Sequence, residues 1–201
     1  MIKRIGVACI FLGIACMLSS VGFVLYNRWE DGNAEETSKE LLEDVQIVID
    51  TPKPTPSLPD GAEKVPEEMA TVEADGYDCI GILSIPVLEL ELPVLTDWSY
   101  AKLKKAPCCY YGTYYEKDFV IAAHNYKAHF GRLSELQAGD LIVFTDVSGT
   151  ERFYEVVLLE TLPKNATKEM ITSGFDLSLY TCTTGGGSRV TVRCNAVKDS
   201  N

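Results

Sequence analysis

The chain has 201 residues and a formal net charge of −11, and 46% of its residues are hydrophobic, which suits one ordinary domain with appendages. Arg28 to Asp78 holds 4 basic and 15 acidic residues, an excess equal to that of the whole chain. The remainder is near neutral, and without a basic patch to neutralise phosphates a nucleic-acid-binding role is excluded.

In chain order, Ile5 to Tyr26 comes first and contains no charged residue. At ~1.5 Å rise per residue it is long enough to cross a hydrocarbon core of roughly 30 Å. Lys3 and Arg4 precede it, whereas Arg28 is followed by Glu30 and Asp31. The positive-inside rule therefore predicts residues 1–4 in the cytoplasm, 5–26 as a transmembrane signal anchor and everything later outside. A cleaved secretory signal is the alternative, but its apolar region is typically about 7 to 15 residues long. Both readings export the rest of the chain.

Residues 27–78 read as an acidic, Pro-rich extracellular stalk, with Pro52, Pro54, Pro56, Pro59 and Pro66 favouring solvated, extended backbone. The patch Leu41, Leu42, Val45, Ile47, Val48 and Ile49 suits a short helix or strand, and an unpacked segment is the expectation. From Cys79 to the C-terminus short apolar runs alternate with turn residues, as in a mainly β domain. Eight strands are predicted at Ile80–Ile85, Leu88–Leu95, Cys109–Thr113, Phe119–His124, Leu141–Asp146, Phe153–Leu159, Leu177–Cys182 and Arg189–Ala196. Short helices are predicted at Trp98–Lys105, Phe130–Leu136 and Thr167–Thr172. With no βαβ rhythm, eight short strands in about 120 residues predict a closed β-barrel.

The segment from Leu177 to Cys194 carries the chemistry. Period-2 alternation puts Ser178, Tyr180 and Cys182 on one face of the first strand, and Arg189, Thr191 and Arg193 on one face of the second. A hairpin centred on Gly185-Gly186 sets Cys182 opposite Arg189 on the polar face. Thiolate is the nucleophilic form of cysteine, ordinarily titrating near ~8.5, and a fixed cation together with a histidine favours it. Attack on an amide carbonyl creates an oxyanion that a positioned Arg stabilises. Taken singly, Cys182 also reads as a packed thiol and Arg189 as a solvated charge. Only His124 and His129 are available as proton-transfer partners. His124 ends the apolar run Phe119 to Ala123, at the rim of a rigid element, whereas His129 reads as surface or loop packing.

Leu179-Tyr180-Thr181-Cys182 followed by Arg189 resembles the Leu-x-Thr-Cys signature of the sortase family, with its arginine on the next strand. Ala123-His124-Asn125-Tyr126 ahead of Phe130-Gly131-Arg132-Leu133 resembles the segment that carries the sortase histidine. The resemblance runs from about Tyr77 to the C-terminus, with Ser178 in place of the usual Thr and Ala123 in place of a frequent Gly. It leaves the subclass open, class B-like and D-like members being candidates. It implies an eight-stranded barrel behind one transmembrane helix, in a type II protein of the Gram-positive cell membrane with its catalytic domain, residues 79–201, outside. It further implies a cysteine transpeptidase that cleaves an LPXTG-like sorting motif through an acyl-enzyme on Cys182. The acyl group then passes to an amine of a cell-wall precursor or a pilin. His124 is the general acid and base, Arg189 the oxyanion or substrate stabiliser, and Thr181 and Thr183 the expected substrate contacts. No metal or cofactor is expected. Two other readings are kept, a membrane-tethered cysteine protease that hydrolyses its acyl-enzyme and a non-catalytic binding barrel.

Five cysteines lie outside the anchor: Cys79, Cys108, Cys109, Cys182 and Cys194. The odd count leaves at least one free thiol, and a disulfide at Cys108 or Cys109 is left open.

Overall fold

A computed structural model describes residues 2–51 and 68–197, with side chains from Ile10 onward. The chain divides into two compact units, residues 1–33 and 34–201. One helix, α1 (Ile2–Asp50), begins in the first and extends into the second. It is long and apolar enough to cross a membrane, and its apolar side chains from Ile10 to Tyr26 are exposed.

The second unit corrects the expectation of an unpacked segment around Leu41 to Ile49. Ala34, Ser38, Leu41 and Val45 are all buried, at the four-, three- and four-residue steps of a helical stripe. Leu41 and Val45 pack with Ala74, Cys79, Ile82, Leu95, Ala106 and Cys108. The end of the expected stalk is sheet, in β1 (Val72–Ala74) and the start of β2 (Tyr77–Ile85). The proline run from Pro52 to Pro66 lies outside the described residues.

Seven further strands complete the sheet: β3 (Leu90–Leu95), β4 (Cys108–Tyr111), β5 (Phe119–Ala122), β6 (Leu141–Asp146), β7 (Glu151–Pro163), β8 (Leu177–Cys182) and β9 (Ser188–Ala196). The order β2-β3-β4-β5-β8-β9-β7-β6 closes where β6 pairs back onto β2. The result is a closed eight-stranded barrel, with β1 an added strand on β2. All pairings are antiparallel except β3 with β4 and β5 with β8. The expected helices shrink to α2 (Tyr100–Leu103), a 3₁₀ turn at Leu133–Glu135 and α3 (Thr167–Ile171). The barrel interior is filled by Leu83, Ile85, Val94, Phe119, Ile121, Phe130, Phe144, Leu177, Leu179 and Val192.

Closure depends on Gly81, which pairs with Val94 of β3 and with Asp146 of β6. A Cβ there would lie 2.2 Å from the Thr145 carbonyl oxygen and 2.9 Å from the Asp146 Cα. Both obstacles are backbone, so they yield only by displacing a strand. Gly81→Ala is expected to destabilise the barrel by about 1–3 kcal/mol, as overpacking does. Urea unfolding reads the effect, and an unchanged midpoint would mean that the seam is looser than its geometry.

Candidate active site

The β8–β9 hairpin has the predicted register, pairing Cys182 with Arg189. The Thr183 amide donates to the Ser188 carbonyl (3.0 Å) and the Gly186 amide to the Thr183 carbonyl (2.8 Å). Gly185 and Gly186 take φ of 87° and 72°, the left-handed region that glycine enters at little cost. Arg189 Nη1 donates to the carbonyls of Gly186 (3.4 Å) and Ser188 (3.2 Å). These contacts tie the guanidinium to the loop beside the thiol.

His124 reaches the same place through the parallel β5–β8 pairing. Ala122 is in register with Tyr180, and the Ala123 amide donates to the Tyr180 carbonyl at 3.2 Å. Two residues further along each chain stand His124 and Cys182, and both line one cleft with Arg189. The His124 ring stacks on Tyr126, with centroids 4.7 Å apart and planes 22° apart. The backbone beneath is held by the Phe130 amide donating to the His124 carbonyl at 3.1 Å. Tyr126 was legible only as part of a motif; its role as a stacking partner needs the turn that folds it back.

Most of the remaining wall of the cleft is aromatic or apolar, Lys164 and Thr167 being its polar members. Tyr110 sits edge-on to Tyr180 (5.2 Å) and tilted against Trp98 (5.4 Å), and Ala166, Thr167 and Met170 of the α3 segment close another side. Burial, reinforced by the neighbouring Tyr110, pushes the Tyr180 phenol well above its ordinary range despite the opposing effect of Arg189.

Thr181 and Thr183 lie beside Cys182 along a second cleft, with their hydroxyls bonded within the protein. Thr181 is 3% exposed, and its hydroxyl donates to the Ala123 carbonyl at 2.9 Å, linking the cysteine strand to the residue before His124. The Thr183 hydroxyl lies 3.1 Å from that of Ser188 and accepts from the Ser188 amide at 3.2 Å. Both side chains thus act on the architecture of the site. His129 is fully buried, tilted against Tyr126 at 5.6 Å; packing in the loop is its role, and the surface placement is corrected.

Arg193 escaped notice as anything beyond a polar-face residue. It is 1% exposed and lies beneath α3. Its Nε donates to Glu160 (2.8 Å), Nη1 to the Ser178 hydroxyl (2.8 Å) and the Met170 carbonyl (3.3 Å), and Nη2 to the Glu169 carbonyl (2.8 Å). Glu169 and Met170 lie in the last turn of α3, where carbonyls lack helical partners and a cation is favoured. Ser178 therefore keeps the hydroxyl that this arginine requires.

Thiol environment separates the cysteines. Burial pushes Cys79, Cys108 and Cys194 up to about 12 and Cys109 up to about 11. All four are free thiols in this structure, Cys108 and Cys109 included. Cys182 is only half-buried and opens on the cleft. A thiol raised in this way stays protonated until the pH approaches its folded value, and its inertness is lost only above that. At pH 8 to 9, iodoacetamide is therefore expected to modify Cys182 and none of these four, with peptide mapping as the readout; modification of Cys79 or Cys108 in the folded protein would contradict the burial argument. Among the described residues, no group of three or more His, Cys, Asp or Glu side chains is placed to hold a metal ion.

Comparison with family models matches residues 83–197 to the Sortase domain, more than half of the chain. This chain belongs to the sortase family. The sortase barrel also resembles solved structures. Sortase C1 of Streptococcus agalactiae is 22% identical with a TM-score of 0.56, over 63% of this chain and 71% of that one. Sortase C of Clostridium perfringens SM101 is 17% identical with a TM-score of 0.55, over 89% and 97%. Clostridium perfringens sortase C solved with the C-terminal cell wall sorting motif is 18% identical with a TM-score of 0.55, over 84% and 91%. At these identities the likeness is one of fold and assigns no subclass to this sortase. A comparison with curated protein sequences finds no match.

Proposed function

We propose that this sortase is a membrane-anchored cysteine transpeptidase that cleaves an LPXTG-like sorting motif through a thioester on Cys182. It passes the acyl group to an amine of a cell-wall precursor or a pilin. The observation that carries this reading is the meeting of Cys182, His124 and Arg189 in one cleft, with the thiol and the guanidinium in register across the hairpin. In this reading Cys182 attacks the scissile carbonyl, Arg189 stabilises the oxyanion, and His124 protonates the leaving amine and deprotonates the incoming one. Thr181 and Thr183 serve by holding the two loops that carry these groups. The apolar α1 helix supports anchoring, and Lys3 and Arg4 before it support a cytoplasmic N-terminus with the barrel outside.

The test is to incubate the protein with a sorting-motif peptide and an amine acceptor and to follow products by mass. His124→Ala and Arg189→Ala are each expected to lower kcat/KM by roughly 10²–10⁴-fold, the range for lost acid–base or oxyanion groups, with the barrel still folded by circular dichroism. Normal turnover in either variant would remove its assigned role. Hydrolysis that no acceptor diverts would make the enzyme a thiol protease.

A further inference from the structure

The spacing His124-x-Tyr126-x-x-His129 brings three rings together in the β5–β6 connection. The Tyr126 ring is stacked on the His124 imidazole, with centroids 4.7 Å apart and planes 22° apart, and is tilted at 52° against His129 at 5.6 Å. We propose that Tyr126 is a positioning residue for His124: its ring face holds the imidazole at the cleft and favours the protonated form, and so sets the pH range in which His124 serves as an acid. The inference rests on the proposed role of His124 in transpeptidation.

The backbone fixes the stack. The Tyr126 carbonyl accepts from the His129 amide at 3.0 Å and from the Gly131 amide at 2.8 Å, and the His124 carbonyl accepts from the Phe130 amide at 3.1 Å. The turn closes so tightly that a Cβ at Gly131 would lie 2.7 Å from the carbonyl oxygens of Asn125 and Tyr126. His129 is fully buried, so the phenol rests on a second ring that is itself fixed. An aromatic face is the negative pole of a quadrupole, and a cation stacked on it is stabilised relative to the neutral ring.

The other titratable and charged groups that share the cleft with His124 are Cys182 and Tyr180 of β8, Arg189 of β9, Tyr110 of β4, Tyr100 of α2 and Lys164 just past β7. Arg189 and Lys164 oppose a positive charge on His124, whereas a Cys182 thiolate favours it. Tyr126 acts in the same direction as the thiolate, but through the face of the imidazole, where it does not compete for the ring nitrogens that exchange protons. An imidazolium kept charged to higher pH keeps the proton that the leaving amine needs. Without the ring face, that proton is given up at lower pH.

The experiment titrates His124 by NMR in the full chain, isotope-labelled at histidine and held in detergent micelles. A Cys182→Ala background removes the thiol that would titrate alongside it. The chain has two histidines, and the His124 signal is the one lost in His124→Asn. Tyr126→Leu keeps bulk beside His129 but has no ring face, and its His124 midpoint is expected to fall by roughly 0.4–1.5 pH units, the span of a cation–π contact. Tyr126→Phe restores the face and brings the midpoint within ~0.2 units of the parent, whereas Tyr126→Trp, with the strongest face, raises it. With Cys182 present, the limb of the kcat/KM profile that coincides with the His124 titration moves by the same amounts. A leucine midpoint that stays or rises, even with turnover lost, overturns the inference, as does a phenylalanine variant that titrates like leucine. Should the leucine variant not fold, a tryptophan midpoint no higher than that of phenylalanine overturns it. A wild-type protein that forms no thioester at Cys182 sinks the transpeptidase reading and the catalytic part of this inference with it. A normal thioester beside midpoints that do not follow the order Trp, Tyr, Leu sinks this inference alone.

Discussion

A Cys182→Ala variant is expected to form no acyl-enzyme and to lose peptide cleavage by at least ~10³-fold, since removing a nucleophile takes away the covalent step itself. No other thiol of the barrel is placed to substitute. Cys79, Cys108, Cys109 and Cys194 are buried, and burial keeps each protonated far above neutral pH. The substitution removes one half-buried sulfur at the mouth of a cleft, so stability is expected to change by less than about 1 kcal/mol. Intact-mass detection of the thioester and a thermal melt, taken on the same samples, separate loss of chemistry from loss of fold. Full processing by the alanine variant would rule out Cys182 as nucleophile; absence of processing in the wild-type protein is the result that would favour the binding-barrel reading.

Arg193→Met is expected to destabilise the barrel by about 2–4 kcal/mol, because it leaves buried carbonyls and a hydroxyl without their donor. Methionine fills much of the space but satisfies none of the partners. The Glu169 and Met170 carbonyls at the end of α3 and the Ser178 hydroxyl lose their donor, and the Glu160 carboxylate, 31% exposed as a side chain, regains water more readily than they do. Urea unfolding at neutral pH measures the loss. Arg193→Lys is expected to recover only part of it, because one ammonium cannot reproduce a planar fork aimed at strands β7 and β8 and at α3 together. A loss below 1 kcal/mol would show that α3 is held mainly by its apolar contacts. Since Ala166, Thr167 and Met170 wall the active cleft, the methionine variant is also expected to bind the sorting motif less tightly.

Much of the barrel was legible because its strands are short and alternate cleanly. Leu141–Asp146 and Leu177–Cys182 are found at the predicted bounds. Cys182 opposite Arg189 follows from alternation and one hairpin, which are local properties of the chain. β7 was underestimated at Phe153–Leu159 because it serves two partners, β6 and then β9, around an irregularity at Val156–Leu158, and its exposure lacks a simple period. The docked helix was missed for a different reason. Its buried stripe includes Ala34 and Ser38 among many acidic residues, so its inner face carries little hydrophobic signal. His124 was chosen from two histidines and a family motif, but its placement beside Cys182 depends on pairing between β5 and β8, which no local pattern encodes. Arg193 reads as a polar-face residue until α3 is laid over that face.

The parallel β5–β8 pairing joins Ala122 to Tyr180, residues 58 apart in sequence, and the proposed nucleophile Cys182 and its proposed base His124 are brought together through it. Such a contact bears the loop entropy of the intervening chain, a cost that slows folding. Until it forms, Cys182 and His124 share no site. On the proposed mechanism, activity during refolding appears no earlier than this β5–β8 pairing, whatever the state of the β2–β6 seam.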